Sequence, residues 1–305
     1  MKENTNLLLK IKGALYGVAL GDALGAPLEF MTEEQIRSQY GRVTEMIGGG
    51  WLDVSPGEVT DDTQMTIAVA DGILSRSDNP LPYIGRNFVR WINSGPKDVG
   101  NTCRVAISMA HRRGACTREE WMRVGRDTND IMHGKTAGNG ALMRTIYPIL
   151  YYTGAQQRQM VADIGKMTHY NEESTTSCLL YAGLVEKALK GVSLSIRRNK
   201  EKHNPTGYVI DSYFCALDAV ASTNTFEEAI IAAVNRGGDA DTIGAIAGGL
   251  AGAIYGYDQI PPRWIGKLDP EIRCKLDYYA ESAEENRRGN NDQNSFRNPS
   301  GGNRL

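Results

Sequence analysis

Two acidic runs in the sequence set carboxylates beside hydroxyls in a pattern suited to a hard cation: Thr60-Asp61-Asp62-Thr63 and Asp239-Ala240-Asp241-Thr242. Each stands just before an apolar run of helical periodicity. Adjacent carboxylates at a helix start have a plain structural reading, since N-capping and the helix dipole both favour Asp there. Two such runs in one chain favour a shared purpose. Asp239 and Asp241 lie two apart in a turn that follows Gly237 and Gly238, so both carboxylates can address one centre. Four carboxylates with flanking Thr60 and Thr242 hydroxyls form an all-oxygen ligand set that suits Mg²⁺ or Mn²⁺ rather than Zn²⁺, with ligands enough for two ions. Such a centre can orient a diol, polarise an oxygen and activate water.

A further carboxylate off the metals could serve as acid or base, and Glu29, just after Pro27, is placed for it; an exposed helix-end glutamate is the bland alternative. Asp22 lies between Leu20 and Ala23 in an apolar stretch and fits either a group behind the metals or a structural hydrogen-bond acceptor. Gly138, Asn139 and Gly140 could form a backbone amide nest for a phosphate or a plain loop-to-helix turn. His169, one of four histidines, follows Thr168, and a lone histidine is more often structural than catalytic. Asp98 and Asn101 complete the polar segments worth following.

Helical periodicity dominates the chain, and Thr32-Glu-Glu-Gln35, Thr117-Arg-Glu-Glu120 and Thr225-Phe-Glu-Glu228 each fit the capping box. About ten or more helices follow from this reading, in one all-α domain over residues 1–286. Residues 42–47 could form a short extended piece. Glycines recur every fourth residue at Gly13, Gly17, Gly21 and Gly25, and again at Gly244, Gly248, Gly252 and Gly256. Each glycine costs a helix about 1 kcal/mol relative to alanine, so the stripes predict close backbone approach between two core helices. That approach would carry Asp22 and Glu29 towards Asp239 and Asp241. Residues 287–305, rich in Asn, Gly, Ser and Arg, read as a disordered tail, or one that binds a partner.

Lys plus Arg total 34 against 36 Asp plus Glu, a balance that excludes binding to nucleic acid or an anionic membrane by bulk charge. Five cysteines without short spacings read as reduced thiols. The amino terminus lacks the long apolar core of a signal peptide, and the most apolar stretch, residues 243–257, is shorter than the roughly 18 residues of a membrane span. A cytoplasmic location is the expectation.

Taken together, GALYGVALGDALGAPLEF, GGGWLDVSPGEVTDDTQM, DVGNTC, GNGALMR, MTH, YVID and NRGGDADTIGAIAGGLAGAIYG resemble, in order and spacing, the ADP-ribosylglycohydrolase family, nearest to its bacterial dinitrogenase reductase-activating type. The resemblance covers most of residues 11–270. It implies a compact orthogonal helical bundle with a dinuclear Mg²⁺ or Mn²⁺ site at the base of a cleft. The metal ligands carry over to Thr60, Asp61, Asp62, Asp239, Asp241 and Thr242, with Glu29 the acidic residue beside them. Asp98, Asn101, Gly138, Asn139, Gly140, His169 and Tyr208 match positions lining the ADP-ribose cleft. The implied activity is hydrolysis of ADP-ribose from modified protein side chains, most commonly arginine, with Glu29 and Asp62 catalytic and the protein acting as a monomer. An immunity or regulatory module that neutralises an ADP-ribosylating toxin, or a hydrolase of another ADP-ribose linkage, is the alternative. One departure stands out: the nitrogenase-related members carry an acidic residue shortly before GNG, where this chain reads Met132-His-Gly-Lys-Thr-Ala137, which leaves the modified target open.

Overall fold

The longest apolar segments of the chain form two helices that lie against each other at the centre of the molecule. In the computed structural model, residues 2–196 and 203–297 are described. The helices run α1 Lys2–Gly25, α2 Glu33–Tyr40, α3 Asp61–Ser75, α4 Leu81–Asn93, α5 Asn101–Arg113, α6 Arg118–Ile131 and α7 Ile146–Tyr151. They continue as α8 Gly154–Lys166, α9 Glu172–Leu189, α10 Val209–Ala221, α11 Phe226–Val234, α12 Ala240–Tyr255, α13 Pro262–Ile265 and α14 Pro270–Arg297. Single 3₁₀ turns follow α1, precede α7 and follow α12. The all-α expectation holds: among the described residues the only β pairings are isolated bridges, and the piece expected at residues 42–47 forms no strand.

α12 is apolar on every side and buried from Ala240 to Ala253, which marks it as the central helix. α1 packs antiparallel along it through the two glycine stripes. A Cβ on Gly17 would sit 2.0 Å from the Gly248 carbonyl oxygen, and one on Gly21 would sit 2.0 Å from that of Gly244. No side chain fits there, so the stripes have the packing role their spacing predicts, except at Gly256, which ends α12 with φ of 83° and only ordinary contacts. α9, α10 and α11 cover the other sides of α12, while α3, α7 and α14 pack on α1.

Capping boxes form at Thr32 and Thr117. At Thr225 the hydroxyl accepts from the Glu228 amide, but the reciprocal glutamate bond is not made. The polar tail expected from residue 287 begins inside α14 instead: Arg287 is buried and donates to the carbonyls of Ile149 and Leu150 at 2.6 Å each and to Glu186 at 2.7 Å. Its polar composition hid the end of a helix that this buried arginine anchors; residues 298–305 lie outside the described residues. The five cysteines are unpaired, and no helix among the described residues is long and apolar enough to cross a membrane.

Candidate active site

The glycine-lined contact of α1 and α12 ends where three carboxylate-bearing segments meet. Asp22, near the end of α1, is fully buried and receives the Thr60 amide at 3.0 Å, the Thr60 hydroxyl at 2.9 Å, the Thr63 amide at 3.1 Å and the Thr63 hydroxyl at 2.5 Å. It thereby caps α3 from another helix, since the Thr60 side chain makes no cap bond of its own within α3. Burial raises Asp22 to about 6, against the opposing pull of those four donors. Of its two open readings, Asp22 is the hydrogen-bond acceptor, and what it fixes is the Thr60-Asp61-Asp62 turn.

The first turn of α3 then presents Asp61 and Asp62. Asp61 contacts Asp98, which enters ahead of α5; burial first, then the Asp98 and Asp22 charges, push Asp61 well up. Asp62 is fully buried, and its Oδ2 accepts from the hydroxyls of Thr60 at 3.3 Å and Thr242 at 3.2 Å. Its Oδ1 has no donor. Burial and the charges of Asp22, Asp61 and Asp239 push Asp62 well up.

From the start of α12 come Asp239 and Asp241. The turn before them is pinned to the segment after α1: the Gly238 amide donates to the Met31 carbonyl and the Phe30 amide to the Gly238 carbonyl, each at 2.7 Å. Gly238 has φ of 63°, and a Cβ there would strike the Pro205 carbonyl. Asp239 accepts from the Asn139 amide side chain at 2.6 Å, and Asp241 from the Thr242 amide at 2.9 Å. Glu29 lies with both: ligand atoms of Glu29, Asp239 and Asp241 fall within 4.8 Å of one another. Glu29 thus stands within the cluster, near enough to share a cation, rather than apart from it. Its Oε2 accepts from the Trp51 indole at 2.5 Å, and burial, with the charges of Asp98 and Asp239, raises it to about 8 despite that donor.

Seven carboxylates so close, with almost no cationic side chain among them, cannot all ionise without protons or cations between them. The donor atoms are oxygens throughout, and Asp62 Oδ1 is a buried acceptor lacking a partner. A hard divalent cation fits both facts. Above the cluster opens a cavity of about 630 Å³. Glu29, Asp61, Asp239, Asp241 and Thr242 form its acidic wall, and Asp98, Asn101, Gly138, Asn139, Gly140 and His169 line the rest.

The ADP-ribosylglycohydrolase family model matches residues 3–293. The chain belongs to the ADP-ribosylglycohydrolase family. It is 36% identical over 281 residues to the ADP-ribosyl-dinitrogen reductase glycohydrolase of Rhodospirillum rubrum, covering 87% of this chain and 92% of that protein. It is 32% identical over 295 residues to the ADP-ribosylarginine hydrolase Tri1 of Serratia proteamaculans strain 568, covering 87% and 76% respectively. A solved ADP-ribosylglycohydrolase-related protein complex superposes with a TM-score of 0.76 at 29% identity, over 93% of this chain and 99% of that one.

The structure places the expected residues unevenly. Thr60 and Asp62 lie beneath the cavity wall rather than on it, and Tyr208 is 40% exposed outside the lining. What Tyr208 contributes is backbone, a bridge to Gly138. The Gly138–Gly140 loop is no amide nest: neither glycine has positive φ, and the Asn139 amide is spent on the Gly207 carbonyl. Several cavity residues escaped the sequence reading, two aromatics among them. Phe30 and Trp51, 68% and 52% exposed, stand at the mouth with ring centroids 5.3 Å apart, and Phe30 holds φ of 65°, rare for a side chain of its size. Their signal was an aromatic directly after Glu29 and another closing Gly48-Gly49-Gly50.

Proposed function

We propose that this protein hydrolyses the N-glycosidic bond between ADP-ribose and an arginine side chain of a modified protein. The observation that carries the reading is the convergence of Asp61, Asp62, Asp239 and Asp241, with an orphaned carboxylate oxygen, at the base of a cavity of about 630 Å³. The name of the Serratia relative supports arginine as the modified residue, and that of the Rhodospirillum relative supports a modified protein as the substrate. Thr60, Asp61, Asp62, Asp239, Asp241 and Thr242 would hold two Mg²⁺ or Mn²⁺ ions. Bound there, the ions supply charge to steady the ribose 2′- and 3′-hydroxyls beside the anomeric carbon. Glu29, beside Asp239 and Asp241, receives a proton from the attacking water and later gives it back. The water oxygen bonds to the anomeric carbon, the carbon–nitrogen bond breaks, and the proton returns to the departing guanidine. Phe30 and Trp51 offer flat faces at the mouth, where the guanidinium or the host protein must pass. The protein acts in the cytoplasm as a monomer.

The test is release of ADP-ribose from an arginine-ADP-ribosylated protein, with Mg²⁺ or Mn²⁺ and with chelator, set beside a serine-linked substrate. Cation-dependent release from arginine alone is expected. Release that persists in chelator would overturn the cation's role, and release from serine alone would overturn the linkage.

A further inference from the structure

Arg144 is fully buried, and among the described residues no carboxylate pairs with it. Its guanidinium lies over the Phe88 ring, 5.0 Å from the centroid. One terminal nitrogen donates to the Gly140 carbonyl and approaches Cys103 Sγ at 3.5 Å. The other donates to Thr168 Oγ1 at 2.7 Å, and that oxygen lies 2.7 Å from His169 Nδ1. A guanidinium has no acceptor, so Thr168 must accept from Arg144, and its single hydroxyl proton is left for Nδ1. The fixed positive charge behind Thr168 favours the same arrangement, with the imidazole lone pair turned towards it. The remaining ring hydrogen then sits on Nε2. That edge of the ring abuts the Gly138–Gly140 loop: a Cβ on Gly140 would lie 2.9 Å from Cε1, and one on Gly138 would lie 3.3 Å from Nε2. The two glycines make room for the imidazole where the sequence pattern suggested room for a phosphate.

We propose that Arg144 is a positioning residue: through Thr168 it fixes His169 as the neutral tautomer with its hydrogen on Nε2, presented to the cavity as a donor to a ligand oxygen. Burial and the Arg144 charge lower His169 to about 3, so the ring stays a neutral donor throughout the physiological range. Under the function proposed above, on which only this part rests, the acceptor is a hydroxyl or pyrophosphate oxygen of ADP-ribose. The tautomer itself is independent of the reaction. The competing arrangement sends the Thr168 proton to Cys103 and puts the ring hydrogen on Nδ1.

Long-range ¹H–¹⁵N correlation on histidine-labelled protein at neutral pH distinguishes the two, with His169 assigned by loss of its signals in His169→Gln. The expected result is an unprotonated Nδ1 and a protonated Nε2 in the wild type and in Thr168→Ser, with averaged nitrogen shifts in Thr168→Val. A protonated Nδ1 in the wild type, or a Thr168→Val spectrum identical to wild type, would overturn the proposal. Calorimetric titration with ADP-ribose should show affinity about tenfold weaker in Thr168→Val and recovered in Thr168→Ser. Equal affinity in all three would remove His169 from ligand binding. The expected tautomer with no ADP-ribose binding in the wild type would bear out the positioning role and sink the functional reading alone.

Discussion

At Asp62 a fully buried carboxylate has three acidic neighbours and one oxygen without a donor. A residue so placed opposes folding while no cation is bound, and a cation held there would relieve it. Asp62→Asn keeps the shape and removes the charge. In chelator the variant is expected to melt higher than wild type, by about 2 °C for about 1 kcal/mol of relieved repulsion, while turnover falls at least ~100-fold. Differential scanning calorimetry with parallel ADP-ribose release checks both halves, and a variant that melts lower and still turns over contradicts this account of the residue. The pH dependence follows from the same cluster. Asp22 near 6 and Glu29 near 8 bind more protons folded than unfolded. Native stability is therefore fullest below the unfolded carboxyl range, at about pH 4, and is lost as pH rises through about 6 to 8. Melting temperature in chelator should fall from pH 5 to pH 8, and added Mg²⁺ or Mn²⁺ should raise it more at pH 8 than at pH 5. A rising slope in chelator would contradict this. The carboxylates were legible because pairs of Asp beside Thr at a helix start are chemically conspicuous. Asp22 showed only as an anomaly in an apolar run, since its partners Thr60 and Thr63 come from α3, some forty residues on. Trp51 was marked only by its place after three glycines, because its bond to Glu29 is tertiary.

Helices position these groups through contacts that leave different amounts of trace in sequence. The α1–α12 contact is written out as two glycine stripes because backbone touching backbone tolerates nothing larger. Gly17→Ala should cost about 3 kcal/mol or more in urea unfolding, as its Cβ meets a carbonyl that cannot step aside. Gly183, exposed on α9 with open space around it, is the matched control, and Gly183→Ala should gain up to about 1 kcal/mol. Equal effects at the two sites would mean that helix propensity, not proximity, governs the stripe. The Gly138–Gly140 loop was harder to read, since a glycine that spares a histidine ring and one that cradles an anion look alike until the ring is in place.

Across the whole molecule, α14 returns to bind the fold together. Arg287 takes carbonyls at the end of α7 and Glu186 of α9, while Asp277 meets Lys12 and Tyr16 of α1. Composition misread the start of the tail here, because one arginine with well-placed acceptors ties down a stretch that has little else to bury. Arg287→Leu takes the guanidinium away from the α7 carbonyls and from Glu186, which keeps Lys190 at 3.2 Å and Gln157 at 3.0 Å, and should cost about 2 kcal/mol, with turnover per folded molecule unchanged. Urea unfolding and release assays on the same sample test this.

The glycine seam also sets an order of events on the ribosome. α1 emerges more than two hundred residues before α12, the helix whose backbone it must touch. Until then its apolar length has no native surface to lie on, and Asp22 can gather α3 but not the other half of the acidic site. Closure of that seam is a high-contact-order step, slow by topology and late by synthesis. A nascent chain stalled before residue 240 therefore exposes α1 to chaperones, and the acidic site is complete only once α12 has emerged.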